Sequence, residues 1–404
     1  MKPIDTPELA GLPLLPGGTF TTVPGTSVGV VAAGIKKPKE PPSRDDVVVL
    51  HAPGVAAAVT TRSTAAAAPC AWTRARAPGA VTAVVVNSGN ANASTGAAGA
   101  RDVAETAAAV AEALSCPVDQ VLVCSTGVIG VPLPMNRLVP AARQAASSLG
   151  GDGHRAAAAI LTTDLVAKEA AVLVGGITVG GFAKGSGMIH PNMGTMLAFV
   201  ATDAAAPAGA LQALVESVAD RTFNAVTVDG DTSTNDALIV LATGRGPEAV
   251  PGSAAWRDLA LGLEVVCRKL ARDIAADGEG ASTLVEVVVL GLADDAEARR
   301  AARAVAGSSL VKAAIYGRDP NWGRIVGALG AAGVPDLDQL DLDLAGVPVL
   351  RRGQPIDFDE ARASAALRAP EVRLTARLPG VGHGVAWGCD LTEGYVRINA
   401  DYRS

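Results

Sequence analysis

Leu259, Leu263, Val266, Leu270 and Ile274 return at intervals of three and four residues through positions 253–277, so this stretch predicts a helix with one apolar face. Shorter, largely apolar runs at 28–35, 46–51, 55–61, 81–86, 121–124, 196–201, 238–242 and 284–292 predict strands. The runs at 172–174 and 177–179 flank Gly175-Gly176, a two-residue hairpin signal. Residues 371–378 alternate polar and apolar, and 385–391 is expected to pair with them. Further helices are expected at 102–114, 140–149, 154–161, 207–221 and 295–305, with 312–316 leading into a loop at 317–324. Residues 1–24, rich in Pro, Gly and Thr, read as an extended lead-in. Strands and helices alternate irregularly, with hairpins on both sides of residue 195, which favours an α+β fold over a doubly wound parallel sheet.

Composition narrows the function. Of 404 residues 49% are hydrophobic and only 3% aromatic, so the core rests on Ala, Val and Leu and offers no stacking surface for bases. A net charge of −6 without a basic run argues against a nucleic-acid or anionic-membrane partner. Residues 1–20 lack signal-peptide character, and nowhere do 18 apolar residues run together, so a soluble, cytoplasmic protein is expected. The five cysteines contain no C-x-x-C pair and are expected to be reduced and buried; the four histidines show no metal-ligand spacing, so no metal is expected.

The stretch from Lys184 to Val200 changes character at Thr195. Glycines, Pro191 and Asn192 precede it, and an apolar run follows. A threonine preceded by Gly194 at a loop-to-strand junction is a place for a self-cleaving nucleophile. Its hydroxyl can attack the preceding carbonyl if the backbone is held in an unusual conformation, and the freed α-amine then titrates near neutrality and serves as base. The same Thr195 also reads simply as the first residue of a strand.

Other polar loops admit two readings each. Asn87, Asn90 and Asn92 line a pocket or satisfy loop backbone. Ser125-Thr126-Gly127 ends a strand in small residues that can present an N–H and a hydroxyl to an oxyanion, or form a plain turn. Asp229 to Asp236 superficially resembles a calcium loop but has Thr234 where glycine is needed and Val240 where glutamate is needed. Glu279, between glycines, matters only if its turn faces residue 195.

Lys184-Gly-x-Gly-Met-Ile-x-Pro-Asn-Met-x-Thr-Met-Leu197 resembles the self-cleavage segment of the ornithine acetyltransferase (glutamate N-acetyltransferase) family. Segments 87–93, 124–130, 162–164, 229–236, 319–324 and 399–404 resemble corresponding family segments in the same order. The resemblance implies sheets sandwiched between helices, a fold of the autoproteolytic N-terminal-nucleophile type. It also implies a cut into chains 1–194 and 195–404 that remain associated, as a heterotetramer of two of each. Thr195 then takes acetyl from N-acetylornithine and passes it to glutamate in the cyclic route of arginine biosynthesis.

By the same resemblance Thr126 and Gly127 form the oxyanion hole. Thr162, Lys184, Thr195, Glu279, Asn399 and Ser404 contact substrate, with Thr162 and Thr163 not distinguished. The family usually has alanine at the position of Gly194 and threonine at that of Ser404. No cofactor is implied, because the acetyl donor is already an amide; acetyl-CoA as a second donor is left open. The alternatives are a self-processing aminopeptidase or amidohydrolase, which hands the acyl group to water, and a binding protein that is never cut.

Overall fold

A computed structural model describes residues 11–36, 45–190 and 196–401. The first part of the chain comprises β1 (Ser27–Val31), β2 (Val47–Thr60), α1 (Ala68–Arg74), β3 (Gly79–Asn90), α2 (Gly96–Leu114), β4 (Val121–Val128), α3 (Met135–Ser147), α4 (Gly153–Ala159), β5 (Lys168–Val174), β6 (Ile177–Lys184), β7 (Leu197–Thr202), α5 (Ala208–Arg221) and β8 (Ala237–Ala242). These strands form one sheet in the order β4-β3-β2-β8-β7-β6-β5, with β1 also on β2. The second part comprises α6 (Ala254–Ala276), β9 (Leu284–Leu292), α7 (Asp295–Gly307), α8 (Ser309–Gly317), α9 (Trp322–Ala331), β10 (Asp341–Leu344), β11 (Val347–Arg351), β12 (Gln354–Pro355), α10 (Glu360–Ala366), β13 (Glu371–Arg377), β14 (Gly382–Cys389) and α11 (Glu393–Asp401). Its sheet runs β12-β11-β10-β13-β9-β14.

The apolar runs are buried on both faces, and the two-residue strand period sorts them. Val48, Leu50, Val84, Val86, Leu122 and Cys124 meet Leu197, Phe199, Ile239 and Leu241 in one core. The intervening Val47, Val49, Ala83, Val85, Val121 and Val123 pack on α2 and α3. Ala198, Val200, Leu238 and Val240 pack on α5 and α6. The large sheet is therefore folded on itself, its two limbs face to face between outer helices. β2 passes from one limb to the other, with its register to β3 shifting between His51 and Gly54. A Cβ at Gly54 would stand 2.0 Å from the Ala242 carbonyl oxygen, so only glycine allows β2 to close on β8 there.

The α+β expectation, with sheets between helices, holds. Ser253 caps α6 by accepting the Trp256 N–H, matching the strongest helical pattern of the chain. Several details differ from the sequence reading. The runs at 46–51 and 55–61 are one strand, because a bend at Gly54 substitutes for a turn. Strand β14 pairs with β9, not with β13, since β9 lies between them. Residues 322–324 open α9 instead of continuing a loop. The hairpin of β5 and β6 is as expected, but β7 and β8 after it are parallel, joined through α5. Among the described residues no helix is long and apolar enough to cross a membrane. The five cysteines are unbridged thiols, four buried and Cys116 half-buried.

Candidate functional site

Strand β6 ends at Lys184, which pairs with Leu197 at the start of β7, and Leu197 pairs in turn with Ala237 of β8. The polypeptide between Lys184 and Met196 thus leaves and re-enters the sheet at one edge of the sandwich. Gly194 and Thr195 lie outside the described residues, as does Ser404.

Lys184 is buried, and its ammonium donates to the Thr162 hydroxyl at 2.6 Å. Behind it stands Asp164, also buried, accepting from Lys168 Nζ at 2.8 Å, from the Gly185 N–H at 2.6 Å and from the Thr162 N–H at 3.2 Å, with Lys184 Nζ at 3.7 Å. Burial alone would raise the Asp164 carboxyl, but the Lys184 and Lys168 ammonium groups outweigh it and hold it well below the usual carboxylate range. Lys168, fully buried, also donates to Asp277 at 2.6 Å. Two carboxylates and two ammonium groups thus compensate each other in a largely buried cluster.

Asp277 begins the turn after α6 that carries Glu279. The Asp277 carbonyl accepts the Ser186 hydroxyl at 2.6 Å, and the Glu279 N–H donates to the Ser186 carbonyl at 2.9 Å. Any Cβ at Gly187 would fall 2.3 Å from the Glu279 carboxyl carbon, so the absence of a side chain there lets the carboxylate lie on the loop. One of its oxygens accepts the Asn399 amide of α11 at 2.8 Å. Thr162, Lys184, Glu279 and Asn399 are therefore assembled on the segment 184–187.

The loop 229–236 grips the next residues. Asp229 accepts the Met188 and Ile189 N–H groups at 2.6 and 2.9 Å, Thr232 donates to the His190 carbonyl at 3.1 Å, and the Val228 N–H reaches the Ile189 carbonyl at 2.6 Å. Met188 sits at φ +57°, a left-handed conformation uncommon for a side chain of this size. The His190 ring lies between the Thr227 hydroxyl at 2.9 Å from Nδ1 and the Arg303 guanidinium at 3.1 Å from Nε2. A guanidinium only donates, so Nε2 accepts and Nδ1–H donates to Thr227. Burial first, then the Arg303 charge, lower the His190 pKa to about 4, keeping the ring neutral. The calcium-like loop is a main-chain clamp.

Thr126 and Gly127 lie at the end of β4, half-buried, with Gly127 at φ +131° and a would-be Cβ 2.3 Å from the Gly89 carbonyl carbon. Asn235 ties this end to β8: its amide donates to the Ser125 carbonyl at 2.9 Å and to the Ala91 carbonyl at 2.5 Å. Asn87, Asn90 and Asn92 donate to the carbonyls of Asn90, Val131 and Gly99 and so brace the main chain, and Asn92 also lines a surface pocket beside Ala65, Ser94 and Thr95. The segment 319–324 braces the second sheet's helices, with Arg324 donating to the Leu310 carbonyl.

Sequence reasoning did not single out Lys168, Asp277, Ser186 or Asp236. The available signal was charge inside otherwise apolar surroundings, as at Lys168 within the strand that opens the β5–β6 hairpin.

A sequence model of the ArgJ family matches residues 27–404. The arginine biosynthesis bifunctional protein ArgJ of Symbiobacterium thermophilum is 51% identical over 373 residues, covering 89% of this chain and 93% of that protein. Its counterpart in Gloeobacter violaceus is 47% identical over 403 residues, covering 95% and 98%. The crystal structure of an arginine biosynthesis bifunctional protein from Bacillus halodurans matches with TM-score 0.50 at 45% identity, over 52% of this chain and 100% of that one.

Proposed function

The chain belongs to the ArgJ family, and on that premise we propose that it moves the acetyl group of N-acetylornithine to glutamate through an acetyl ester on Thr195. It is an enzyme of arginine biosynthesis. The observation that carries the reading is that opposite charges from two different elements border one loop. The Lys184 ammonium stands at the start of the segment leading to residue 195, and the Glu279 carboxylate lies against Gly187 within it. A zwitterionic amino-acid substrate has a partner for each of its charges there.

In this reading the Thr195 hydroxyl attacks the acetyl carbonyl and passes its proton to the α-amine of the same residue. The Thr126 hydroxyl and the Gly127 N–H stabilise the oxyanion, the C–N bond breaks, and ornithine leaves with the proton. Glutamate then attacks the ester from the same site, and N-acetylglutamate departs. Thr162, Asn399 and Ser404 complete the substrate contacts. The bifunctional designation of the relatives makes acetyl-CoA a second donor to be tried.

The nucleophile is exposed by self-cleavage into 1–194 and 195–404, which assemble as two of each in the cytoplasm. Supporting this, the solved Bacillus chain is matched throughout by about half of the present chain, and residues 195–404 are about half of it. In one sheet, β7 and β8 of the second piece lie between β2 and β6 of the first, which would keep the two associated.

Mass spectrometry tests both steps. Purified protein should give two fragments with a new N-terminus at Thr195, and N-acetylornithine alone should add one acetyl group to the 195–404 fragment. Initial rates should follow parallel double-reciprocal lines. An intact chain, or intersecting lines with no adduct while turnover proceeds, would defeat the proposal.

A further inference from the structure

Lys168 and Lys184 are neighbours where β5 begins and β6 ends, Lys168 lying opposite Ala183 and Lys184 following it. Their surroundings divide them. The Lys168 side chain has no exposure, and all three of its N–H donors are taken, by Asp164 Oδ1 at 2.8 Å, Asp277 Oδ2 at 2.6 Å and the Val166 carbonyl at 3.2 Å. The Lys184 side chain keeps 9% exposure and donates to the neutral Thr162 hydroxyl; among the described residues it makes no hydrogen bond to a carboxylate. Asp164 Oδ2 stands 3.7 Å from its ammonium and accepts the Thr162 N–H instead, while Asp164 Oδ1 is shared by Lys168 and the Gly185 N–H.

On the reading above that Lys184 contacts the substrate, we propose that Lys168 is a positioning residue for substrate binding: by occupying Asp164 and Asp277 it keeps Asp164 from capturing the Lys184 ammonium, which is left to hold the carboxylate of an amino-acid ligand.

The charges leave Asp164 no other course. Burial would raise its carboxyl, but the Lys184 and Lys168 ammonium groups hold it well below the usual carboxylate range, so it remains an anion in the interior. Without Lys168, Lys184 is the ammonium that remains beside it. Closing their separation from 3.7 Å to the ~2.8 Å of a charge-assisted hydrogen bond takes a shift of about 1 Å. Asp164 cannot swing away, because the N–H groups of Thr162 and Gly185 hold it from both sides. An incoming carboxylate would then meet an ammonium already paired, with an anion behind it.

Isothermal titration calorimetry with ornithine and with ornithinamide, which is neutral where ornithine has its carboxylate, reads the preference at about pH 6.5, where the amines of both probes are protonated. Any unfolded fraction enters the stoichiometry and leaves the ratio of the two dissociation constants untouched. Wild type should bind ornithine about 10-fold or more tighter than the amide. In Lys168→Met the two constants should come within about 2-fold of each other. The double variant Lys168→Met/Asp164→Asn, in which the competing carboxylate is gone, should recover a preference within about 3-fold of wild type, a rescue that a merely structural role of Lys168 would not produce. A single variant with the wild-type preference, or a double variant without one, would overturn the proposal. If the single variant does not fold, the double variant decides by the same criterion. A wild type that binds both probes equally removes Lys184 as the partner of the substrate carboxylate, whereas a wild-type preference that survives the loss of Lys168 removes only the role of Lys168.

Discussion

The Lys184 ammonium and the Thr162 hydroxyl are 2.6 Å apart, a contact that distinguishes Thr162 from the adjacent Thr163. A hydrogen bond to a charged group contributes about 1.5–3 kcal/mol, so Thr162→Val should lower kcat/KM for N-acetylornithine about 10-fold or more. Thr163→Val should stay within about 2-fold of wild type. Steady-state kinetics on the two variants would reverse the assignment if their effects were exchanged.

At the end of β4, Thr126→Ala should reduce kcat by about 10²-fold without lowering the thermal midpoint appreciably, since a single preorganised oxyanion donor is worth about that much. Unchanged turnover would exclude the hydroxyl from the oxyanion hole.

Lys168 neutralises two buried carboxylates, Asp164 at 2.8 Å and Asp277 at 2.6 Å. Lys168→Met should therefore cost about 3–5 kcal/mol of stability, more than its apolar packing could recover, because the carboxylates remain. Urea denaturation of wild type and variant gives the difference directly, and a loss below about 1 kcal/mol would contradict the compensation described.

His190 contributes a pH-dependent term whose sign follows from its pKa. Its ordinary value of 6.5 falls to about 4 in the fold. The unfolded chain therefore takes up a proton before the native one does, and stability is present above about pH 6.5 and lost as pH falls toward about 4. The shift corresponds to about 3 kcal/mol before screening, reduced to about 1–2 kcal/mol for a ring that is only partly buried. Between about pH 7 and about pH 4.5, His190→Gln should lose that much less stability than wild type, as read from denaturant midpoints.

The sequence displayed those parts of the molecule in which neighbouring residues decide the outcome. α6 was legible because its apolar stripe repeats over the whole helix, and the β5–β6 hairpin because Gly175-Gly176 fits a two-residue turn. The pairing of β14 with β9 was not, since it depends on which strand inserts between two others and no local pattern records that. Similarly, the apolar runs of β7 and β8 announced burial, yet only the folding of the sheet at Gly54 assigns alternate residues to two different cores. In the site, Lys184, Thr162, Glu279 and Asn399 were named from family likeness. What joins them, the hydrogen bonds of Ser186 and Asp277 and the bare Cα of Gly187, involves residue types too common to stand out in a sequence.

The order of the large sheet has a consequence for the history of each molecule. β7 and β8, from beyond residue 195, are inserted between β2 and β6, from before it. A chain cut at that point after folding would consist of two pieces woven together, and separating them would mean unzipping strands on both sides of the insertion. Denatured and diluted, the same pieces would have to find each other again in a second-order reaction, whereas the uncut chain folds in a first-order one. The cut form would then serve as a receipt for a completed folding event, easy to reach once and hard to reach twice.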